Sequence, residues 1–414
     1  MRNEILTYLN DPRQLEKMYR ANKAPFKREF IALYPELKGN TLADCWNERL
    51  NYESDEINWG TGRELLLVIT ASVLAGVIAK LPGFLSISEE FFYSRNAGFI
   101  IFPLLTVYFA WKNKLSAGKI AFIVGATLAG LIYINFLPDV KKSDTLILSC
   151  LHLILFLWSI LGFAFVGERR NSVEKRLGFL KFNGDLIVIT TLIVIAGGIL
   201  TGITIGLFSL IGFNIERFYF ENIVVFGLPA APIVGTYLIQ ANPQLVGKVS
   251  PVIAKIFSPL VLVMLLVYLV AMIYSGKNPY NNREFLLIFN ALLIGVMAII
   301  FFSVAETSST IKSHTEIWIL SLLSVVTLIV NGIALSAILF RISEWGVTPN
   351  RAAVLGGNVL ILINLLLVTA QLLKAFSKKA DITGVGKVIS SYLPIYFLWT
   401  IIVTFIFPLL FGFR

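Results

Sequence analysis

Charge is scarce in this chain. Only 14% of its 414 residues are Asp, Glu, Lys or Arg, where soluble domains carry about a quarter. Cysteine and histidine are scarcer, at two each. Cys45 lies in a polar stretch and Cys150 in an apolar run, which points away from a disulfide framework. Neither has Cys/His neighbours at metal-ligand spacing. His152 and His314 cannot build a zinc hydrolase centre without further ligands. No Walker loop, dinucleotide fingerprint, GxSxG or pair of intramembrane aspartates occurs. "SVEK" at 172–175 looks like a serine-hydrolase motif only on paper, since it lies in a basic segment. The sequence thus carries no reaction signature, names no cofactor and no metal, and reads as more consistent with a non-enzyme. Net charge is +10, but no dense basic run with interleaved aromatics implies nucleic acid.

Long apolar runs are what the chain has in place of charge. Hydrophobic residues make up 57%. "TLILSCLHLILFLWSILGFAFV" (145–166) alone exceeds the roughly 20 residues that cross a bilayer core. The runs do not alternate polar and apolar in short segments, which excludes an outer-membrane barrel. The expected fold class is all-α: a polytopic helical membrane protein of about eleven spans with a small amino-terminal soluble helical domain. The spans fall near 65–81, 97–111, 118–137, 145–166, 186–212, 222–240, 257–274, 284–304, 317–340, 352–375 and 389–411. The expected organisation is a helical head over 1–63 and a four-span part over 64–167. A basic loop over 168–184, "GERRNSVEKRLGFLKFN", then leads to a seven-span part over 185–414. The two parts show no sequence repeat, so no inverted-repeat transporter fold is expected.

The head differs in composition, with ten basic and ten acidic residues in its first 63. Asn10 or Asp11 can cap a helix that has Pro12 at its first position. Leu15, Met18 and Tyr19 then share a face; Phe26, Phe30, Ile31 and Leu33 form a second, and Leu42, Cys45, Trp46 and Leu50 a third. The chain opens on polar sequence rather than a cleavable signal, so the first span is expected to serve as the insertion signal.

Loop charge sets orientation in membranes. With the amino terminus inside, the inner loops hold Lys112, Lys114, Arg169, Arg170, Lys175, Arg176, Lys181, Lys248, Lys312, Lys374, Lys378, Lys379 and Lys387. The outer loops hold fewer: Arg95, Lys141, Lys142, Arg217, Lys277, Arg283, Arg341 and Arg351. The expectation is amino terminus in and carboxyl terminus out, with the excess cations facing anionic lipid.

The stretch "RISEWGVTPNRAAVL" (341–355) separates two apolar runs. Gly346 can end the incoming helix, while Thr348 and Pro349 suit the N-cap and first position of the next. A tight antiparallel hairpin follows. Arg341 and Glu344 are three apart on one helix face, and Arg351 starts the next helix. An arginine there opposes the macrodipole, so Glu344 is the expected partner. The expectation is a charge cluster that staples the hairpin at the outer interface, against the simpler reading that arginines snorkel to headgroups.

This turn, with "SPVIAKIFSPL" (250–260) and "NNREFLLIFNALL" (281–293), resembles the DUF4153 family of bacterial polytopic membrane proteins. The segments "LEKMYRANKAPFKREF" and "WNERLNYESDEINWG" resemble its Bacteroidetes members. The most distinctive piece is a YGLT-like turn, here "WGVT" with Trp345 at the aromatic position. The resemblance implies a multi-pass protein of the bacterial inner membrane. It implies no mechanism, because the family is defined by sequence alone.

Three further features bear on function. "FGLPAAPIVG" places Gly227, Pro229 and Pro232 within one span, a pattern expected to break the helix; transporters build sites at such breaks, although a packing kink is the simpler outcome. Asn290, Asn331, Asn358, Asn364 and Gln371 fall inside apolar spans, where interhelical hydrogen bonding is the default role. Glu306 ends a span beside Lys312 and His314 and is expected at an inner mouth. Gly227, Pro229, Pro232, Asn290, Asn331 and Glu306 therefore form the candidate helix break and polar lining. The best reading is a permease or channel-like protein for a small or lipidic substrate. The alternative is a membrane scaffold or envelope signalling component whose head recruits a cytoplasmic protein partner. Membrane lipids are the other expected partners.

The loop charges make the topology testable. In a background without Cys45 and Cys150, an impermeant thiol reagent added from the periplasmic side should modify Ser343→Cys and Gly412→Cys but not Ser172→Cys. Modification of Ser172→Cys alone would invert the assignment.

Overall fold

The computed structural model describes residues 2–51, 60–140, 143–167, 172–210, 213–243, 258–267, 269–270, 283–307, 314–377 and 382–413. They are helical, with no strand among the described residues. The chain divides into two compact units, Met1–Ile57 and Asn58–Arg414.

The first unit has four short helices, α1 (Arg2–Thr7), α2 (Pro12–Ala21), α3 (Lys23–Leu37) and α4 (Thr41–Asn51). The Asp11 side chain accepts from Arg13 N and Gln14 N, and Pro12 takes the first helical position. Leu15, Phe26, Phe30, Leu33, Trp46 and Leu50 are buried. Tyr19 and Phe26 meet Trp46 with ring centroids 5.7 and 5.3 Å away. Ile31 and Cys45, expected on the core faces, are exposed: each sits one residue from an aromatic that takes the inward position, about 100° round the helix. The Tyr34 hydroxyl donates to Asp44 (2.9 Å). Glu16 accepts from Arg20 (2.7 Å) and pairs with Arg49 (2.8 Å). The Arg20 hydrogen bond, aided by the Arg49 charge, holds the Glu16 carboxyl below its usual range.

The second unit runs through α5 (Gly62–Ala79), α6 (Leu81–Leu85), α7 (Glu89–Lys112), α8 (Ala117–Phe136), α9 (Asp144–Val166), α10 (Val173–Leu210) and α11 (Glu216–Ala241). It continues with α12 (Ser258–Val267), α13 (Arg283–Thr307), α14 (His314–Trp345), α15 (Pro349–Phe376) and α16 (Thr383–Leu410). Eight of these, α5, α8, α9, α10, α11, α14, α15 and α16, are long and apolar enough to cross a membrane. This is the architecture of a multi-pass integral membrane protein. Each expected span coincides with a helix where described, but α7, α12 and α13 are not among the eight. α7 carries Arg95 and Asn96, and α12 and α13 contribute only short apolar stretches. The outward residues are apolar: Leu66, Ile69 and Val73 on α5, and Ile195, Ile199 and Leu200 on α10, are more than half exposed. Water would make that surface costly; hydrocarbon does not.

Residues 173–184, expected in the basic loop, are instead the first turns of α10. At 38 residues and 1.5 Å each, α10 is about 57 Å long, nearly twice a hydrocarbon core. Its basic start extends the span and seats Phe179 and Phe182 in the aromatic cluster of Phe109 and Phe165.

Two large hydrophobic cores and one small cluster, of Leu148, Ala353, Val403 and Phe407, result among the described residues of the second unit. One large core joins α5, α7, α8, α9, α11 and part of α10; the other joins the start of α10 with α12, α13, α14, α15 and the first half of α16. Glycine notches bring helices together: a Cβ on Gly76 would lie 2.0 Å from the Phe226 ring, and one on Gly356 2.1 Å from Trp399.

The helix ends are tied by polar side chains. At one end Glu64, in the first turn of α5, accepts from the Tyr108 hydroxyl (2.5 Å) and from Lys112 Nζ (3.1 Å) on α7. Tyr237 of α11 abuts the same carboxylate across Gly60. At the other end Arg95 is buried and donates to Ile134 O (2.6 Å) and Leu137 O (2.9 Å). Its outer nitrogen reaches Asp139 at 3.4 Å, and Phe91 covers its face. Asn96 and Asn135 exchange amide hydrogen bonds beside it.

The Glu64 cluster should behave as a coupled unit. Lys112→Met or Glu64→Gln alone leaves a half-satisfied buried partner and should lower stability by about 1–3 kcal/mol. The double variant should lose less than the sum. Thermal melting in detergent measures this, and additive losses would show that the two charges are independent.

Candidate functional site

The hairpin forms as its caps dictate. Gly346 takes φ +75° and its N–H donates to Ile342 O (2.9 Å). The Thr348 hydroxyl accepts from Arg351 N (3.3 Å), and Pro349 opens α15. The charge cluster is not the one expected. Glu344 is exposed and pairs with neither arginine. Arg351 donates instead to Trp345 O (2.8 Å) and Gly346 O (2.7 Å). Both guanidinium groups face Trp345, with Arg341 5.2 Å and Arg351 5.6 Å from the ring centroid. The reason is that the last carbonyls of α14 have no intrahelical donors and carry the negative end of the dipole. They are fixed beside Arg351, whereas Glu344 keeps its hydration. Arg351 is thus a cap on the preceding helix, and the indole takes the central place assigned to the carboxylate.

The expected break at Gly227, Pro229 and Pro232 does not occur. α11 is continuous from Glu216 to Ala241, with one wide π turn over Phe220–Val224. Pro229 is buried and Pro232 half-buried, while Gly227 is exposed with open space where a Cβ would point. The prolines each remove one N–H donor, and the wide turn absorbs distortion upstream. The result is an irregular span.

The lining residues are not gathered either. α11 packs against α5, α7 and α10; α14 packs against α13 and α15. Pro229 and Asn331 therefore belong to different cores. Asn290 is half-buried on α13, and its amide has no partner among the described residues. The side chain of Glu306, and Lys312, lie outside the described residues. His152 is satisfied within its own helix, with Nδ1 2.9 Å from Leu148 O.

A set of buried amides lies in two separate contacts, one between α14 and α15 and one between α15 and α16. Asn331 Nδ2 donates to Asn358 O (3.3 Å), leaving Asn331 Oδ1 and Asn358 Nδ2 unpartnered. Asn364 Nδ2 donates to the Tyr396 hydroxyl (3.0 Å), which lies 3.4 Å from Met297 Sδ; Asn364 Oδ1 is unpartnered. All three asparagines are buried. This is the strongest candidate site in the second core, and it retains Asn331 from the expected lining.

Sequence reasoning placed Arg95 and Lys112 in loops and passed over Glu64 and the buried Asp185 on α10. One signal was present for Glu64: "TGRE" (61–64) is a capping-box pattern. Thr61 does cap α5, accepting from Glu64 N (3.3 Å). The glutamate, freed from that duty, turns to α7. No family profile, no curated protein and no solved structure matches this chain.

The revised hairpin predicts a different mutational pattern from an ion-pair staple. Glu344→Gln should leave the melting temperature unchanged, within about 0.5 kcal/mol. Arg351→Gln, which strips two carbonyls of their donor, should cost about 1–2 kcal/mol. Equal losses for the two variants would restore Glu344 as the partner.

Proposed function

We propose that this protein is a permease or channel-like conductor in the bacterial inner membrane, of the DUF4153 type, that passes a small or lipidic substrate. The observation that carries the reading is that three buried amides, Asn331, Asn358 and Asn364, are each left with an unpartnered atom. An unpaired buried polar atom costs about 1–3 kcal/mol, and hydrocarbon makes polar residues dearer still. A bundle under selection for stability alone would hold leucine or alanine there. In this reading eleven segments cross the bilayer, the head and the Glu64 end face the cytoplasm, and the carboxyl terminus and Trp345 hairpin face the periplasm. The cations of Lys114, Lys374 and Lys387 fall on the cytoplasmic side, as charge bias requires.

A second reading keeps the membrane part as a scaffold and gives the work to the head. It is favoured by the head being a compact unit with its own aromatic core. In that case residues 1–63 recruit a cytoplasmic protein.

Reconstitution separates the two. Purified protein in liposomes should speed entry of at least one member of a panel of ions, neutral solutes and labelled lipids. Rates equal to protein-free liposomes across the panel would remove the permease reading and leave the scaffold.

A further inference from the structure

The chemistry of the buried face of α14 narrows the substrate. Ser321, Ser324, Thr327 and Asn331 recur at spacings of three and four and are buried, so they form one stripe along the helix. Each hydroxyl donates to a carbonyl of its own helix: Ser321 to Ile317 O (2.7 Å), Ser324 to Ser321 O (2.8 Å) and Thr327 to Leu323 O (2.6 Å). A hydroxyl that donates backward still presents oxygen lone pairs. The stripe is therefore a row of acceptors, ending in the unpartnered Asn331 Oδ1. On α15 two buried donors are unpartnered, Asn358 Nδ2 and the Thr369 hydroxyl. None of these six side chains is ionisable, and among the described residues the buried charged groups are Glu64, Arg95 and Asp185, on α5, α7 and α10.

We infer that the α14–α15 interface binds a small neutral solute rich in hydrogen-bond donors and bearing at least one acceptor, of the urea, amide or polyol class. The inference rests on the permease reading and specifies its substrate. An anion would meet a row of acceptors and only two neutral donors. A bare cation would find oxygens but no carboxylate on the stripe to offset dehydration, and the Asn358 amide hydrogens would oppose it. A neutral donor-rich molecule satisfies the oxygens, takes the Asn358 donor and needs no counter-charge. Discrimination by buried polar groups is strong, because an analogue lacking the matching group leaves them unpaired.

The test is stopped-flow light scattering of proteoliposomes under inward gradients of urea, glycerol, sodium chloride and potassium chloride. Urea or glycerol should enter faster than in protein-free liposomes, and both salts should not. The double variant Asn331→Leu with Asn358→Leu should slow neutral entry by about tenfold, the scale of one or two lost hydrogen bonds. It should melt no lower than wild type, since it removes both unpaired groups. Asn358→Ala, a smaller change, serves if the double variant does not fold. Salt or lipid transfer without neutral entry would overturn this inference and leave a permease of another class. Accelerated water flow with no solute entry would overturn it too. No transfer of anything would remove the permease reading beneath it. Neutral entry unchanged in folded variants would place the pathway elsewhere and overturn the assignment to these residues.

Discussion

A helix that ends in or near hydrocarbon must find donors for its last carbonyls, because no water is there to supply them. Much of this molecule is arranged around that requirement. Arg95 donates to the final carbonyls of α8. Asn113 donates to Ala164 O and Phe165 O at the end of α9, and Lys119 reaches Gly167 O just beyond (2.6 Å). Arg351 does the same for α14. In each case the donor comes from a neighbouring element, so satisfying one helix end fixes the position of another. The wide π turn at Ile402–Ile406 follows the same rule: its loosened carbonyls receive Ser149 at Thr404 O and Tyr133 at Phe405 O, both 2.9 Å.

This use of cations also bears on topology. Arg95 and Arg351 count against the charge bias when every basic residue is treated as free loop charge. Both are engaged by carbonyls, and Arg95 is almost wholly buried. Such residues are structural donors rather than charges held back by anionic lipid. The same holds for Lys112 and Arg176 on the expected inner side, which meet Glu64 and Ser390 O, so setting such residues aside leaves the expected bias as it was. Of the other cations expected on the outer side, Arg217 is paired with Glu221.

What the sequence makes legible follows from distance along the chain. Asp11, Thr61, Gly346, Thr348 and Pro349 act on residues within four positions, and their roles can be read from local pattern. The helical character of the long runs is equally local, since lipid leaves the backbone no alternative. Partner choice is not local. Glu344 and Arg351 are seven apart and of opposite charge, yet Arg351 prefers carbonyls that carry no letter in the sequence. Glu64 and Lys112 are 48 residues apart, and Asn331 and Asn358 are 27; only helix packing brings them together. The Pro229–Pro232 pair misleads for a related reason. Proline removes a donor locally, but the wide turn and surrounding helices decide whether the span breaks.

The two large cores differ in where their charged residues lie. Ionisable groups such as Glu64, Lys112 and Arg95 sit at the ends of the first core, each meeting several partners, and they bind helix to helix. The second core has neutral amides and hydroxyls well inside its helices, and several of those amides are only half used. A charge in the bilayer interior must be paired at once, so it can serve as a lock. A neutral amide tolerates partial satisfaction at modest cost and can exchange one partner for another. The proposed permease therefore assigns passage to the second core and anchoring to the first.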